Sequence, residues 1–192
     1  MYEQEKWELR AETARKLGLA SADDVALAVA KPLARPTARV SGRRRQRLRA
    51  RLAELEDQME PIAEAPQADA PSALLQAACG ACRGHCCRDG GEHAYLKPED
   101  LARARAALGG QPEDMVELYL GFVPRRSYQG SCIFHSAKGC ALPRALRSSV
   151  CRNFLCSPLA ALQARTRNHP AKAALVLFQD LGVKRRVCVR LP

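Results

Sequence analysis

Cysteine is the residue that most constrains this chain, because eight of its nine copies lie between positions 79 and 156. One buried cysteine packs as a small hydrophobe, but eight in so short a stretch exceed what packing requires. The ninth, Cys188, stands apart, and we predict that it is an ordinary buried side chain. The clustered ones form two groups: Cys79-x2-Cys82-x3-Cys86-Cys87, and Cys132-x7-Cys140-x10-Cys151-x4-Cys156.

The spacing of the first group is typical of metal ligation. A Cys-x-x-Cys pair can place two thiolates on one ion, and Gly80 and Gly84 give the backbone freedom to fold around it. Thiolates are soft ligands that suit zinc, copper(I) and iron–sulfur clusters. The N-terminal residues lack a signal-peptide apolar core, and no apolar run reaches the roughly 18 residues of a membrane span. We therefore expect a cytoplasmic protein whose thiols stay reduced, which favours metal binding over disulfides.

The adjacent pair Cys86 and Cys87 favours a polynuclear cluster. In an extended chain, neighbouring side chains point to opposite faces, so a single tetrahedral ion is difficult for both. This mildly favours an iron–sulfur cluster, [4Fe–4S] above all, over structural zinc, but both stay open. His85 and His135 adjoin cysteines and are weaker candidate ligands. The other histidines, His93 and His169, are expected to be surface or capping residues.

Charge is concentrated in one short segment. The chain has 31 Lys and Arg against 20 Asp and Glu, a net +11, and residues 31–51 hold nine bases and no acid. Arg43–Arg51 matches a phosphate-contacting arm, which makes nucleic acid a candidate partner. However, Leu48, Leu52, Leu55 and Met59 recur at helical spacing, and acids follow. We favour a helix with a solvated basic face over a nucleic-acid contact.

Local patterns predict helices joined by linkers. A helix over 3–17 stops at Gly18, and Ser21 caps a second over 24–30. Linkers are predicted at 31–42 and 60–72 from their proline content. Weak alternation predicts a strand at 183–191. Further helices are predicted at 73–78, 98–108, 112–122, 143–151, 158–165 and 171–181.

Together these patterns predict a mainly α fold. It consists of a small cysteine-rich, metal-stabilised domain with irregular loops and a helical N-terminal appendage. The predicted segments are a helical and basic appendage with linkers at 1–72, a cysteine-cluster metal-binding domain at 73–160, and a C-terminal extension at 161–192 that packs on it.

The stretch from Cys79 to Cys156 resembles a known family, the CxxCxxCC cysteine-cluster domain of bacterial proteins described as zinc- or iron-chelating. Besides the first cysteine group, the resemblance rests on Gly-Ser-Cys-Ile-Phe at 130–134, Gly-Cys-Ala-Leu-Pro at 139–143 and Val-Cys-Arg-Asn-Phe-Leu-Cys at 150–156. It implies metal or cluster binding by cysteines, and no particular reaction.

The leading hypothesis is a metal-binding protein whose thiolates hold an iron–sulfur cluster. The expected ligands are Cys79, Cys82, Cys86 or Cys87, and at least one cysteine of the second group. The alternative is a structural zinc-binding interaction module whose basic arm contacts nucleic acid. An enzyme stays open as a third class, although the nucleotide-binding, hydrolase and zinc-protease motifs are absent from the sequence. The candidate metal ligands are Cys79, Cys82, Cys86, Cys87, Cys132, Cys140, Cys151 and Cys156.

Overall fold

A computed structural model describes residues 2–30, 37–62, 73–110, 114–168, 171–180 and 183–191. The described chain divides into two compact units. We call Met1–Ala34, Ala70–Cys82 and Leu155–Pro192 the sheet unit, and Arg35–Asp69 with Arg83–Phe154 the helical unit. The three predicted segments cut across these units, since residues 1–72 contribute to both.

The sheet unit is built on three strands in the order β1-β6-β7. Strand β1 pairs with β6 in parallel, and β6 pairs with β7 antiparallel. The elements of this unit are helices α1 (Glu3–Leu17), α3 (Ala73–Cys82) and α7 (Ser157–Asn168), and strands β1 (Val25–Ala30), β6 (Ala173–Asp180) and β7 (Val183–Arg190).

Helices cover both faces of this sheet. Ala14 of α1 packs with Val25 and Leu175 on one face. Leu74 of α3 and Leu162 of α7 pack on the other face, in a cluster that includes Ala28, Val176 and Phe178. Strands covered on both faces favour apolar residues, which explains the apolar runs at 25–30 in β1 and 173–178 in β6.

The helical unit is centred on α2 (Gly42–Asp57). Ser41 caps this helix by accepting a hydrogen bond from the Arg44 amide, and Leu48, Leu52 and Leu55 are fully buried. The other elements of this unit are α4 (Pro98–Ala107), α5 (Met115–Gly121), α6 (Ser149–Asn153) and the antiparallel pairs β2 (Thr37–Arg39) with β3 (Arg126–Tyr128) and β4 (His135–Ser136) with β5 (Gly139–Cys140).

The prediction of a mainly α fold is wrong, because the described chain mixes helices with three small sheets. Residues 171–181 were expected to form a helix but contain β6, and 24–30 contain β1 after a single 3-10 turn at Ala22–Asp24. Short apolar runs do not distinguish a buried helix from a buried central strand, and here tertiary pairing decides.

Other local predictions are confirmed. The first helix spans Glu3–Leu17 and ends at Gly18, which adopts the left-handed conformation. Helices α2, α4 and α7 and strand β7 lie where the sequence predicts them. The predicted linker at 60–72 falls mostly outside the described residues. Among the described residues, no helix is long and apolar enough to cross a membrane.

Candidate metal centre

The eight clustered cysteines are divided between the two units. The sheet unit contains Cys79, Cys82 and Cys156. The helical unit contains Cys86, Cys87, Cys132, Cys140 and Cys151.

A 3-10 turn at His85–Asp89 presents Cys86 and Cys87. The turn begins at Gly84, whose φ of 90° suits glycine far better than residues with a side chain. The Cys87 amide donates to the Gly84 carbonyl over 2.8 Å, and the Cys87 carbonyl accepts from the Cys132 amide over 2.7 Å. The last bond joins the two cysteine groups through their backbones. The chain is turned here rather than extended, so the side chains of Cys86 and Cys87 are not held on opposite faces.

The hairpin of β4 and β5 brings Cys140 close to Cys86 and Cys87. His135 pairs with Cys140, and the Ala141 amide donates to the Phe134 carbonyl over 2.8 Å. The Ile133 amide donates to the Gly91 carbonyl over 3.0 Å, which attaches the hairpin to the first cysteine loop.

The thiols of Cys86, Cys87 and Cys140 form one hydrogen-bonded network. The contact from Cys87 lowers the pKa of Cys140 to about 6, and the nearby Arg147 guanidinium acts in the same direction. The Cys87 contact also lowers the pKa of Cys86 to about 7. The pKa of Cys87 itself is raised by its hydrogen bonds to Cys140 and Cys86.

A single S–H proton on Cys87 can be donated to only one sulfur at a time. Cys140 has the additional hydrogen bond from Arg147, so we assign the stabilised thiolate to Cys140. Opposite charge and hydrogen bonding to the charged form are the ordinary causes of such a thiolate.

Cys132 and Cys151 flank this network. Burial raises the pKa of Cys132 to about 12, and Cys140 and Cys151 both act electrostatically on it. Burial also raises the pKa of Cys151, and Cys140 and Cys86 act in the same direction. Cys140 is thus the thiol that interacts with all four others.

Two glycines let the backbone approach these sulfurs closely. A Cβ at Gly84 would lie 2.8 Å from His135 Nε2 and 3.3 Å from Cys87 Sγ. A Cβ at Gly90 would lie 2.8 Å from Cys132 Cβ and 3.4 Å from Cys132 Sγ. Both positions therefore exclude larger residues next to the thiols.

A buried ion pair that the sequence did not predict holds the backbone of Arg147 in place. Arg103 lies 3.3 Å from Asp100 and donates to the carbonyls of Ala145, over 2.8 Å, and Arg147, over 2.6 Å. Asp100 also accepts from the Ser149 amide over 2.7 Å. These bonds position the segment that carries both Arg147 and Cys151. The only local signal was the spacing of opposite charges by three residues, which is common on solvated helices.

His135 is a structural residue in this arrangement. It is fully buried, its Nε2 lies 2.8 Å from the Arg83 carbonyl oxygen, and its Nδ1 lies 3.2 Å from Ser131 Oγ. A carbonyl oxygen only accepts, so Nε2 carries the proton and donates. Burial lowers the pKa of this histidine. Both ring nitrogens are engaged, which does not suit a metal ligand. His85 precedes Cys86 in the chain and is half-buried.

The sheet-unit cysteines have a different setting. Helix α3 continues beyond the helix predicted at 73–78 and includes Cys79 and Cys82, three residues apart on one helix face. Cys82 and Cys156 pack against the same apolar cluster. Cys188 lies on β7 and is exposed, so the prediction that it is buried is wrong.

The basic segment lies on α2 and is paired within the helical unit. Arg44 and Arg47 both contact Glu92, and the hydrogen bond from Arg47 is the main cause that lowers the pKa of this carboxylate. Arg45 donates to the Val123 carbonyl over 2.8 Å, and Arg49 pairs with Glu117. Carboxylates and backbone carbonyls of the same unit are therefore the partners of these four arginines.

Within the described ranges, no three or more His, Cys, Asp or Glu side chains are already arranged to hold a metal ion. Comparison with known proteins adds no relative: no family model, curated protein or solved structure matches the chain.

Proposed function

We propose that the chain is a metal-binding protein in which thiolates of the helical unit hold an iron–sulfur cluster of the [4Fe–4S] type. The observation that carries this proposal is the convergence on Cys140, which hydrogen-bonds with Cys87 and interacts with Cys86, Cys132 and Cys151. Reactivity or metal binding, rather than packing, usually accounts for the role of a cysteine, so five thiols that act on one another favour a metal-binding role.

The donor set fits such a group chemically. Cys86, Cys87, Cys140 and Cys151 supply the four thiolates that a cubane cluster takes, while Cys132 is the most deeply buried of the five. The close backbone at Gly84 and Gly90 leaves no side chain between the loops and the sulfurs. When bound, the cluster would supply one-electron chemistry.

The surrounding residues serve the ligand set in defined ways. Arg147 donates toward the Cys140 sulfur, and hydrogen bonds to ligand sulfurs tune a cluster's reduction potential. Ser148 Oγ accepts from the Cys151 amide over 3.2 Å and fixes the start of α6. The Cys82 and Cys79 pair and Cys156 are kept as candidate ligands of a second site. Membership of the CxxCxxCC family and a cytoplasmic location, where thiols stay reduced, belong to the same proposal.

Anaerobic purification tests this assignment directly. We expect a brown protein with the broad visible absorbance of a [4Fe–4S] cluster and equal amounts of iron and acid-labile sulfide. A colourless protein with stoichiometric zinc would replace the cluster with a structural zinc site. A protein that takes up neither metal would overturn metal binding altogether.

A matched pair of variants tests the position of the site. Cys140→Ser removes the shared thiol, and we expect it to abolish the visible absorbance while the far-ultraviolet circular dichroism is retained. Cys188→Ser makes the same chemical change at the exposed cysteine of β7, and we expect full iron content. Equal iron in both variants would show that Cys140 is not a ligand.

A further inference from the structure

An open groove runs beside the edge of strand β1 that faces away from β6. Strand β1 is at one end of the sheet, and the groove beside it has a volume of about 1170 Å³. Residues from α1, including Trp7 and Arg10, form one wall. Residues from α7, including Ala161 and Arg165, form the other. All of these residues belong to the sheet unit.

The backbone of β1 presents hydrogen-bonding groups to this groove. Asp24 directly precedes β1, and its carbonyl accepts a hydrogen bond from the Lys172 amide. The backbone N–H and C=O groups of the even-numbered residues of β1 therefore point toward β6. Successive backbone groups alternate in direction, so those of Val25, Leu27 and Val29 point outward. The Val25 carbonyl is satisfied by Arg10 Nε over 2.8 Å. Outside the β1–β6 ladder, the hydrogen bonds of the described residues include none to the backbone of Leu27 or Val29.

The two edges of the sheet differ in how they are protected. Proteins usually guard an exposed edge with charged side chains, because unpaired strands recruit others. The opposite edge, β7, carries exposed Arg186 and Arg190. Strand β1 has no charged residue, and Val29 remains 37% exposed beside Trp7, itself 58% exposed. An unguarded apolar edge between two helices is suited to receiving a strand.

Geometry decides between a second copy of the chain and a lone peptide. Helices α1 and α7 both pack on β1, on opposite faces of the sheet. Pairing two copies through β1 would place equivalent helices about 5 Å apart, while packed helices need roughly 8–10 Å. A single extended segment brings no helices with it. It therefore fits the groove where a second copy does not.

Charge in the groove indicates which segment is preferred. Lys6 pairs with Glu3, Arg10 with Asp23 and Asp24 with Lys172, so these charges are balanced. Arg165 is exposed, and the described residues give it no ion pair. A carboxylate on the α7 side of an added strand would pair with it. Trp7 offers an apolar contact on the α1 side.

We propose that β1 is a docking site for an extended peptide that adds a strand through the backbone of Leu27 and Val29, with apolar side chains toward Trp7 and an acidic side chain toward Arg165. Main-chain bonds supply affinity in this mode of recognition, and alternate side chains supply specificity. This binding is independent of the metal centre, because it uses residues of the sheet unit only.

The probe is a set of blocked hexapeptides of alternating valine and alanine, with one glutamate placed at each alanine position in turn. A second set carries lysine in place of glutamate. Trp7 is the only tryptophan, so its emission reports on the groove directly. We expect a blue shift with at least one glutamate peptide at millimolar concentration and weaker binding of its lysine counterpart.

Two variants locate the binding. Val29→Pro removes an outward-facing amide that is not needed for the β1–β6 pairing, and we expect about fivefold weaker binding. Arg165→Glu should reverse the preference to the lysine peptides, whereas Arg186→Glu makes the same charge change on the other edge and should leave it unchanged.

Each alternative outcome is decisive. An unchanged Trp7 emission across both peptide sets, or a preference that Arg165→Glu does not alter, would overturn the proposal. Self-association that Val29→Pro abolishes would identify a second copy as the occupant and overturn it as well. Sedimentation of the wild-type chain over a range of concentrations provides that measurement.

Discussion

At the residue scale, the thiol network depends on how closely the backbone approaches the cysteines. Gly90 is buried, and its φ is −74°, so its conformation alone does not require glycine. The requirement is steric, because the Cβ of Cys132 occupies the space that a side chain would need. At Gly90, close packing rather than backbone strain is therefore what requires glycine.

Gly90→Ala should destabilise the helical unit by ~1–3 kcal/mol, because the added methyl must displace Cys132. The measurement is urea unfolding followed by far-ultraviolet circular dichroism. Gly42→Ala is the matched control in the same unit, since nothing lies within 4 Å of a Cβ there and Gly42 is exposed. We expect the control to change the free energy of unfolding by less than about 0.5 kcal/mol. Equal midpoints for the two variants would show that Gly90 has room for a side chain.

At the element scale, α2 shows which parts of the fold can be predicted from sequence. The leucine spacing predicted this helix and its buried face, and Leu48, Leu52 and Leu55 are indeed fully buried. The same segment was assigned to an appendage because the first third of the chain contains no cysteine and few predicted core residues. Composition does not reveal that α4 and α5 supply the apolar surface on which those leucines pack.

Strand β6 shows the opposite case. Its eight residues carry no periodicity that separates strand from helix, and only pairing with β1 and β7 makes it a strand. The partner β1 lies about 150 residues earlier in the chain, and such distant pairing has no local signature. The eight clustered cysteines were all predicted as candidate ligands, but their division between two units could not be predicted.

Leu52→Ala should destabilise the chain by ~2–5 kcal/mol, because the truncation leaves a cavity in the core beneath α2. Arg49→Ala, on the same helix, removes only an exposed ion pair with Glu117 and should cost ~0–1 kcal/mol. Thermal unfolding of both variants compares the two faces of α2. A stability loss for Leu52→Ala as small as that for Arg49→Ala would mean that α2 behaves as the peripheral appendage first expected.

At the scale of the whole molecule, the division into units determines where metal should act. Two of the segments that carry proposed ligands, 84–91 and 131–141, belong to the helical unit and are joined by the bonds from Cys132 to Cys87 and from Ile133 to Gly91. A ligand that binds only the folded state stabilises it by mass action. Bound metal should therefore stabilise most strongly the segments that carry its ligands.

Removal of the metal by an anaerobic chelator should consequently loosen one part of the chain. We expect faster hydrogen exchange at the amides of Cys132 and Ile133, because their acceptors lie in the other ligand loop. The antiparallel ladder of β6 and β7 lies outside the proposed ligand set and should retain its protection. Mass spectrometry of exchanged peptides measures both regions in one experiment, and Cys140→Ser treated with the same chelator controls for effects of the chelator itself. If β6 and β7 lose protection to the same extent, the assignment of the ligands to the helical unit is wrong, and Cys79, Cys82 and Cys156 become the thiols to substitute next.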